Sequence, residues 1–143
     1  MANTNVMRVV QEGPRNAVVE LVGNLDTSAA NLAVTPVIQL SDFTNNETNV
    51  VLSGFRLDEV QYSISADLAV QLFWNATADR LMVGLAGHDR LCFDAAGGLQ
   101  PVTGDAGYDG NINLLVSNIV VAAGTPIQTY TLLLFLIKVY DIQ

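Results

Sequence analysis

Basic residues, cysteine, histidine and long apolar runs are all scarce in this 143-residue chain, and each scarcity removes a class of function. Six Lys and Arg stand against fourteen Asp and Glu, a formal charge of −8 with an isoelectric point near 4.2. Such a surface repels phosphate backbones and anionic headgroups, which argues against nucleic acid and membrane surfaces as partners. The single cysteine, Cys92, cannot close an intramolecular disulfide, so the chain is not a small scaffold held by disulfides. His88 is the one histidine, and with Cys92 it gives two of the three or four N/S ligands that a zinc site needs. The densest apolar run, Leu132–Ile137, is far short of the ~20 residues of a spanning helix. At 7% aromatics the girdles of a membrane barrel are also poorly supplied. The first residues, Met1-Ala2-Asn3-Thr4-Asn5, carry neither a basic n-region nor an apolar h-region, so no secretory signal is expected. The sequons at Asn46 and Asn75 are then expected to be ordinary polar turns.

Half of the residues are apolar and 14% are charged, so the chain has the means to collapse. Its length suits one domain with core enough to stand without metals or disulfides. Short β-branched or alternating segments recur between Gly, Pro, Asn and Asp, the pattern of an all-β protein. Ten strands are predicted: Val6–Gln11, Ala17–Val22, Pro36–Ser41, Val50–Phe55, Leu57–Ser65, Asp67–Trp74, Leu81–Ala86, Leu91–Phe93, Ile112–Val116 and Thr129–Tyr140. The best helical stretch, Thr27–Val34 with Asp26 as N-cap, is limited to a turn or two by Pro36. Ten short strands in one domain suit a two-sheet β-sandwich of jelly-roll topology, with an open barrel as competitor. Residues 1–7 read as a polar N-terminal arm that orders on docking, and 8–143 as the sandwich domain.

Alternation assigns faces. Val60, Tyr62 and Ile64 share one side of their strand, and Leu68, Val70, Leu72 and Trp74 one side of the next. A turn at Asn75–Asp79 makes Asp67–Ala86 a hairpin. The last strand is different: Tyr130, Leu132, Leu134 and Leu136 form one apolar face, and Leu133, Phe135, Ile137 and Val139 form another. Two apolar faces mean either a central strand covered on both sides or a strand whose outer face meets another subunit. The parity argues for oligomerisation or docking, with Leu133, Phe135, Ile137 and Val139 as the candidate interface and the opposite face equally open to exposure.

No constellation carries chemistry. His88 and Asp89 have no Gly-x-Ser-x-Gly nucleophile beside them, and Gly87–Arg90 reads as a surface turn. Cys92, between Leu91 and Phe93, is expected to pack as a small hydrophobe. Asp58 and Glu59 are adjacent in a strand and are expected on opposite faces, unable to flank one bond. The turn-rich stretch Phe93–Asn111 should run over the surface. Its acidic part, Asp105–Asn111, offers oxygen ligands for calcium without EF-hand spacing. Asp105, Tyr108 and Asp109 are the candidate exposed contact in that loop, while Trp74 is expected in the core. No enzyme activity, cofactor or metal is expected.

The C-terminal part, Gly110-Asn111-Ile112-Asn113-Leu114-Leu115 through Thr129-Tyr130-Thr131-Leu132-Leu133-Leu134, resembles the small virion structural proteins of tailed bacteriophages, above all the capsid decoration (cement) proteins of short-tailed phages. The hairpin Val70–Val83 is similar in style. The resemblance implies a jelly-roll or related sandwich on the outer surface of the capsid, made in the host cytoplasm without a signal peptide. There it would bridge neighbouring copies of the major capsid protein. An acidic protein suits that outer position, since inside it would face packaged phosphate. A homodimer or homotrimer would gain avidity on a lattice of identical sites. The alternative from another class is a carbohydrate- or receptor-binding module of a virion fibre or spike.

Overall fold

A computed structural model describes residues 3–25, 31–44, 49–66, 68–119 and 127–142. Nine strands lie within them: β1 Thr4–Glu12, β2 Asn16–Leu25, β3 Leu32–Ile38, β4 Val50–Ile64, β5 Ala69–Trp74, β6 Arg80–Leu85, β7 His88–Cys92, β8 Ile112–Ser117 and β9 Gln128–Ile142. The larger sheet has the order β1-β2-β9-β4-β7 and the smaller β3-β8-β5-β6, with antiparallel pairing throughout. Strands β2–β9 are thus divided between two four-stranded sheets in jelly-roll order, crossing at every connection except the β5–β6 hairpin, and β1 adds an edge strand beside β2. The chain is a two-sheet β-sandwich.

The core follows from alternation. Val19, Leu21, Phe55, Leu57, Val60, Tyr130, Leu132, Leu134 and Leu136 face inward from the larger sheet. Val70, Leu72, Trp74, Ile112, Leu114 and Val116 meet them from the smaller one. The β5–β6 hairpin forms where predicted.

Several boundaries move. The two strands expected at Val50–Phe55 and Leu57–Ser65 are one strand, β4, with irregularities at Ser53 and Asp58. A bulge adds a residue to one strand and shifts its alternation, so the inward residues run Leu52, Phe55, Leu57, Val60 with gaps of three at each bulge. Of the helical stretch, Leu32–Val34 belong to β3, where packing on β8 overrides a weak propensity; residues 26–30 lie outside the described residues, as do Asp67 and the sequon at 46–48. Thr4–Met7 of the expected arm are strand, paired with Leu21–Asn24, and residues 1–2 lie outside the described ones. The expected turn at Gly87–Arg90 is shorter, because His88–Arg90 open β7. Gly87, at φ 76°, makes the turn between the sheets in a backbone conformation that favours glycine.

Candidate functional site

The outer face of the larger sheet is built by strand register. At the level of Phe135 the outward residues run Gln11, Val18, Phe135, Glu59, Cys92 from β1 to β7. One level along they run Arg8, Glu20, Leu133, Gln61, Arg90, and the next is Val6, Val22, Thr131, Ser63, His88. Ile137 lies between Asn16 and Arg56. The centre, along β9 from Leu133 to Ile137 with Val18 of β2, is therefore apolar. Charges stand on both sides of it, Arg8 and Glu20 on β1 and β2 and Arg56, Glu59 and Arg90 on β4 and β7. Leu132, Leu134 and Leu136 are buried, Leu133, Phe135 and Ile137 are half-buried, and Val139 is 40% exposed. Register thus points the row Leu133, Phe135, Ile137, Val139 away from the core.

Three ion pairs lie on this face between the levels of Thr129 and Val139, and Arg15 stands at its rim beside Phe135 and Ile137. Arg8 Nη2 lies 3.2 Å from Glu20, Arg56 Nε 2.9 Å from Asp58, and Arg90 Nη2 3.0 Å from Glu59. Glu59 also accepts from Gln61 Nε2 at 2.8 Å and from the Cys92 thiol at 3.6 Å. The hydrogen bond from Arg90, then that from Gln61, holds the Glu59 carboxyl down to about 2. Asp58 does not point away from Glu59 as alternation suggested. The irregularity at Asp58 turns it to the outer side, where it grips Arg56 and lines a recess beside Phe135 and Ile137. Nor is Cys92 packed as a hydrophobe: it is exposed on edge strand β7. Burial pushes its thiol pKa up, against the pull of Arg90.

Two recesses flank the central row. One of about 700 Å³ lies under the β1–β2 turn, lined by Pro14, Arg15, Val18, Phe135 and Ile137. The other, about 640 Å³, lies toward β7 between Glu20, Gln61, His88 and Leu133. Both are open and chiefly apolar.

The loop residues are differently placed. Arg80 grips Asp105 with two hydrogen bonds of 2.6 and 2.9 Å, which lowers the Asp105 pKa. Asp109 accepts from Asn75 Nδ2 at 2.8 Å and from the Asn111 backbone N–H at 3.0 Å. These bonds tie the loop to the β5–β6 turn, together with a Thr77 N–H donated to the Ala106 carbonyl. Tyr108 is half-buried with its hydroxyl over Gly54; burial, then Asp109 and Asp141, raises its pKa. Tyr108 and Asp109 share a recess of about 500 Å³ with Thr103 and Asp141, and Asp105 does not line it. Both carboxylates of the candidate contact already have protein partners. Among the described residues no group of three or more His, Cys, Asp or Glu is placed to hold a metal ion, and no helix is long and apolar enough to cross a membrane.

Two polar features escaped the sequence reading. Lys138, 1% exposed, points inward and places Nζ 2.6 Å from Glu12 and 3.1 Å from the Thr44 carbonyl. The signal was there: Lys138 shares the parity of Tyr130, Leu132, Leu134 and Leu136, so it had to be a buried cation with a partner. Asn113, 2% exposed, donates to Asn75 Oδ1 and Asp79 Oδ2, both at 2.8 Å.

Comparison with protein-family models, curated proteins and solved structures finds no match to this chain.

Proposed function

We propose that this chain is a non-enzymatic capsid decoration protein, bound to the outside of an icosahedral phage head and stabilising contacts between major capsid protein subunits. The supporting observation is the outer face of the larger sheet, which is apolar at its centre with paired charges on both sides. A sandwich that presents such a face is organised for protein–protein assembly. The C-terminal resemblance supplies the setting, and the acidic charge suits the exterior of a shell filled with nucleic acid. In this reading no group forms or breaks bonds; the work is cross-linking by multivalent contact.

Purified protein mixed with heads stripped of their small surface proteins, then sedimented, tests this. Saturation at a fixed simple ratio to the major capsid protein is expected. Absence of binding would overturn the proposal. A carbohydrate- or receptor-binding module has one observation in its favour, the recess with Tyr108, Asp109 and Asp141. An aromatic ring beside carboxylates can stack on and hydrogen-bond a sugar. Glycan-array binding that Tyr108→Ala removes would favour that second reading.

A further inference from the structure

We propose that the occupant of the outer face of the larger sheet is a second copy of this chain, paired face to face about a two-fold axis. The inference rests on the assembly role proposed above and names the partner of that same surface. Charge is the first argument. Arg8, Arg56 and Arg90 cancel Glu20, Asp58 and Glu59 on this face. Arg15 at the rim adds one positive charge, and the two remaining basic and eleven remaining acidic residues lie outside these groups. Two copies of an acidic chain repel, and contact through this face brings together surfaces that carry little of that negative charge. A strongly acidic or basic partner would gain little attraction from it.

Size is the second argument. At ~3.3 Å per residue and ~4.8 Å per strand, a face eleven residues long on β9 but only five on β7, with β1 and β2 ending short of Val139, covers roughly 700 Å². About 800 Å² per partner is what a stable interface of standard size buries.

Shape is the third. The same face carries Leu133 and, two residues along β9, the open apolar recess that Phe135 and Ile137 wall together with Pro14 and Arg15. An isologous pair needs projection and recess on one surface, because each copy uses the same patch. Sandwich sheets pack in this way at about 10 Å with strands within ~30° of each other. The paired molecule would turn two smaller sheets and two Phe93–Asn111 loops outward, so that one dimer presents two equivalent ends to a lattice.

The test is mass in solution by light scattering and sedimentation equilibrium. Wild-type protein is expected at twice 15.3 kDa. Phe135→Asp and Val18→Asp should each weaken pairing by about 30-fold or more while keeping the β-sheet circular dichroism spectrum and a cooperative melt. Leu81→Asp, on the exposed outer side of the smaller sheet, should remain paired. A single-chain or three-chain mass for the wild type overturns the inference, as does a Phe135→Asp variant that folds and still pairs. The two proposals fail separately. A dimer that ignores stripped heads ends the decoration reading and leaves the pairing. A monomer that binds heads, and loses them with Phe135→Asp, ends the pairing and gives the face to the capsid.

Discussion

Lys138 is the one buried charged residue among those described, and it ties β9 to β1. Its ammonium is out of contact with water and is answered by Glu12 from β1 and by the Thr44 carbonyl, while Glu12 also accepts the Thr44 N–H at 2.5 Å. Removing one member of a buried pair leaves the other charge uncompensated, at a cost of about 3–5 kcal/mol for full burial. Glu12 keeps 22% of its side-chain exposure, so Glu12→Ala is expected at the lower edge, about 3 kcal/mol, read by urea unfolding. Burial acts to raise the Glu12 pKa, but the hydrogen bonds from Lys138 and Thr44 outweigh it and the net shift is downward. Glu59 is shifted further, from 4.5 to about 2. A carboxyl depressed in the folded state contributes stability that is complete above its ordinary pKa and is lost as pH falls through the folded value. Stability is therefore expected to decline from about pH 4.5 toward 2, and Glu59→Gln should make that decline shallower in acid titrations of the melting temperature. Cys92, exposed yet with a raised pKa, should react slowly with iodoacetamide near neutral pH, because the thiolate is the nucleophile.

Among the elements, β9 joins the larger sheet together, with β2 on one side and β4 on the other. Tyr130 shows how closely it fits. Its fully buried ring lies against Gly23 of β2, where a Cβ would enter the ring, and its hydroxyl donates to Asn5 Oδ1 of β1. Gly23→Ala should cost about 3 kcal/mol by overpacking, measured as a shift of the urea midpoint without change in slope. The two sides of β9 should respond differently to truncation: Leu134→Ala should cost about 3 kcal/mol, as for a core leucine, while Phe135→Ala should act on assembly. β5 and β9 were legible in the sequence because unbroken alternation marks both faces of each. β4 was not read as one strand, since the bulges at Ser53 and Asp58 shift the parity on either side of Arg56, where the sequence reading divided it into Val50–Phe55 and Leu57–Ser65. The same bulge placed Asp58 beside Glu59 on the outer side, a relation that adjacency in sequence conceals. Of β3, Pro36–Ile38 was expected within the strand Pro36–Ser41, whose end is instead the 3₁₀ turn Leu40–Asp42. Leu32–Val34 were hidden by helix-compatible residues whose strand conformation comes from pairing with Leu114–Val116.

At the scale of the molecule the decisive property is where the charge lies. Composition shows an acidic chain, but only strand register reveals that Arg8, Arg56 and Arg90 meet Glu20, Asp58 and Glu59 on one face. Parity alone separated the two apolar faces of β9 without saying which is outward. Packing against the smaller sheet turns Leu133, Phe135, Ile137 and Val139 outward, and the ion pairs beside them join residues as far as 31 positions apart, as for Arg90 and Glu59. This distribution sets a sign that experiment can read. If pairing occurs through the outer face, the long-range force between two copies is repulsion between their acidic remainders, and salt screens it over a Debye length of about 10 Å at 0.1 M. Added salt should therefore tighten the dimer several-fold between low and moderate ionic strength, mainly through faster association. Apolar burial at the centre, being insensitive to screening, would persist. Sedimentation equilibrium across a sodium chloride series measures this directly. Weakening with salt would mean that ion pairs formed between the copies, rather than the apolar centre, hold them together, and exchange of Arg8–Glu20 and Arg90–Glu59 pairs between chains would then be the arrangement to test.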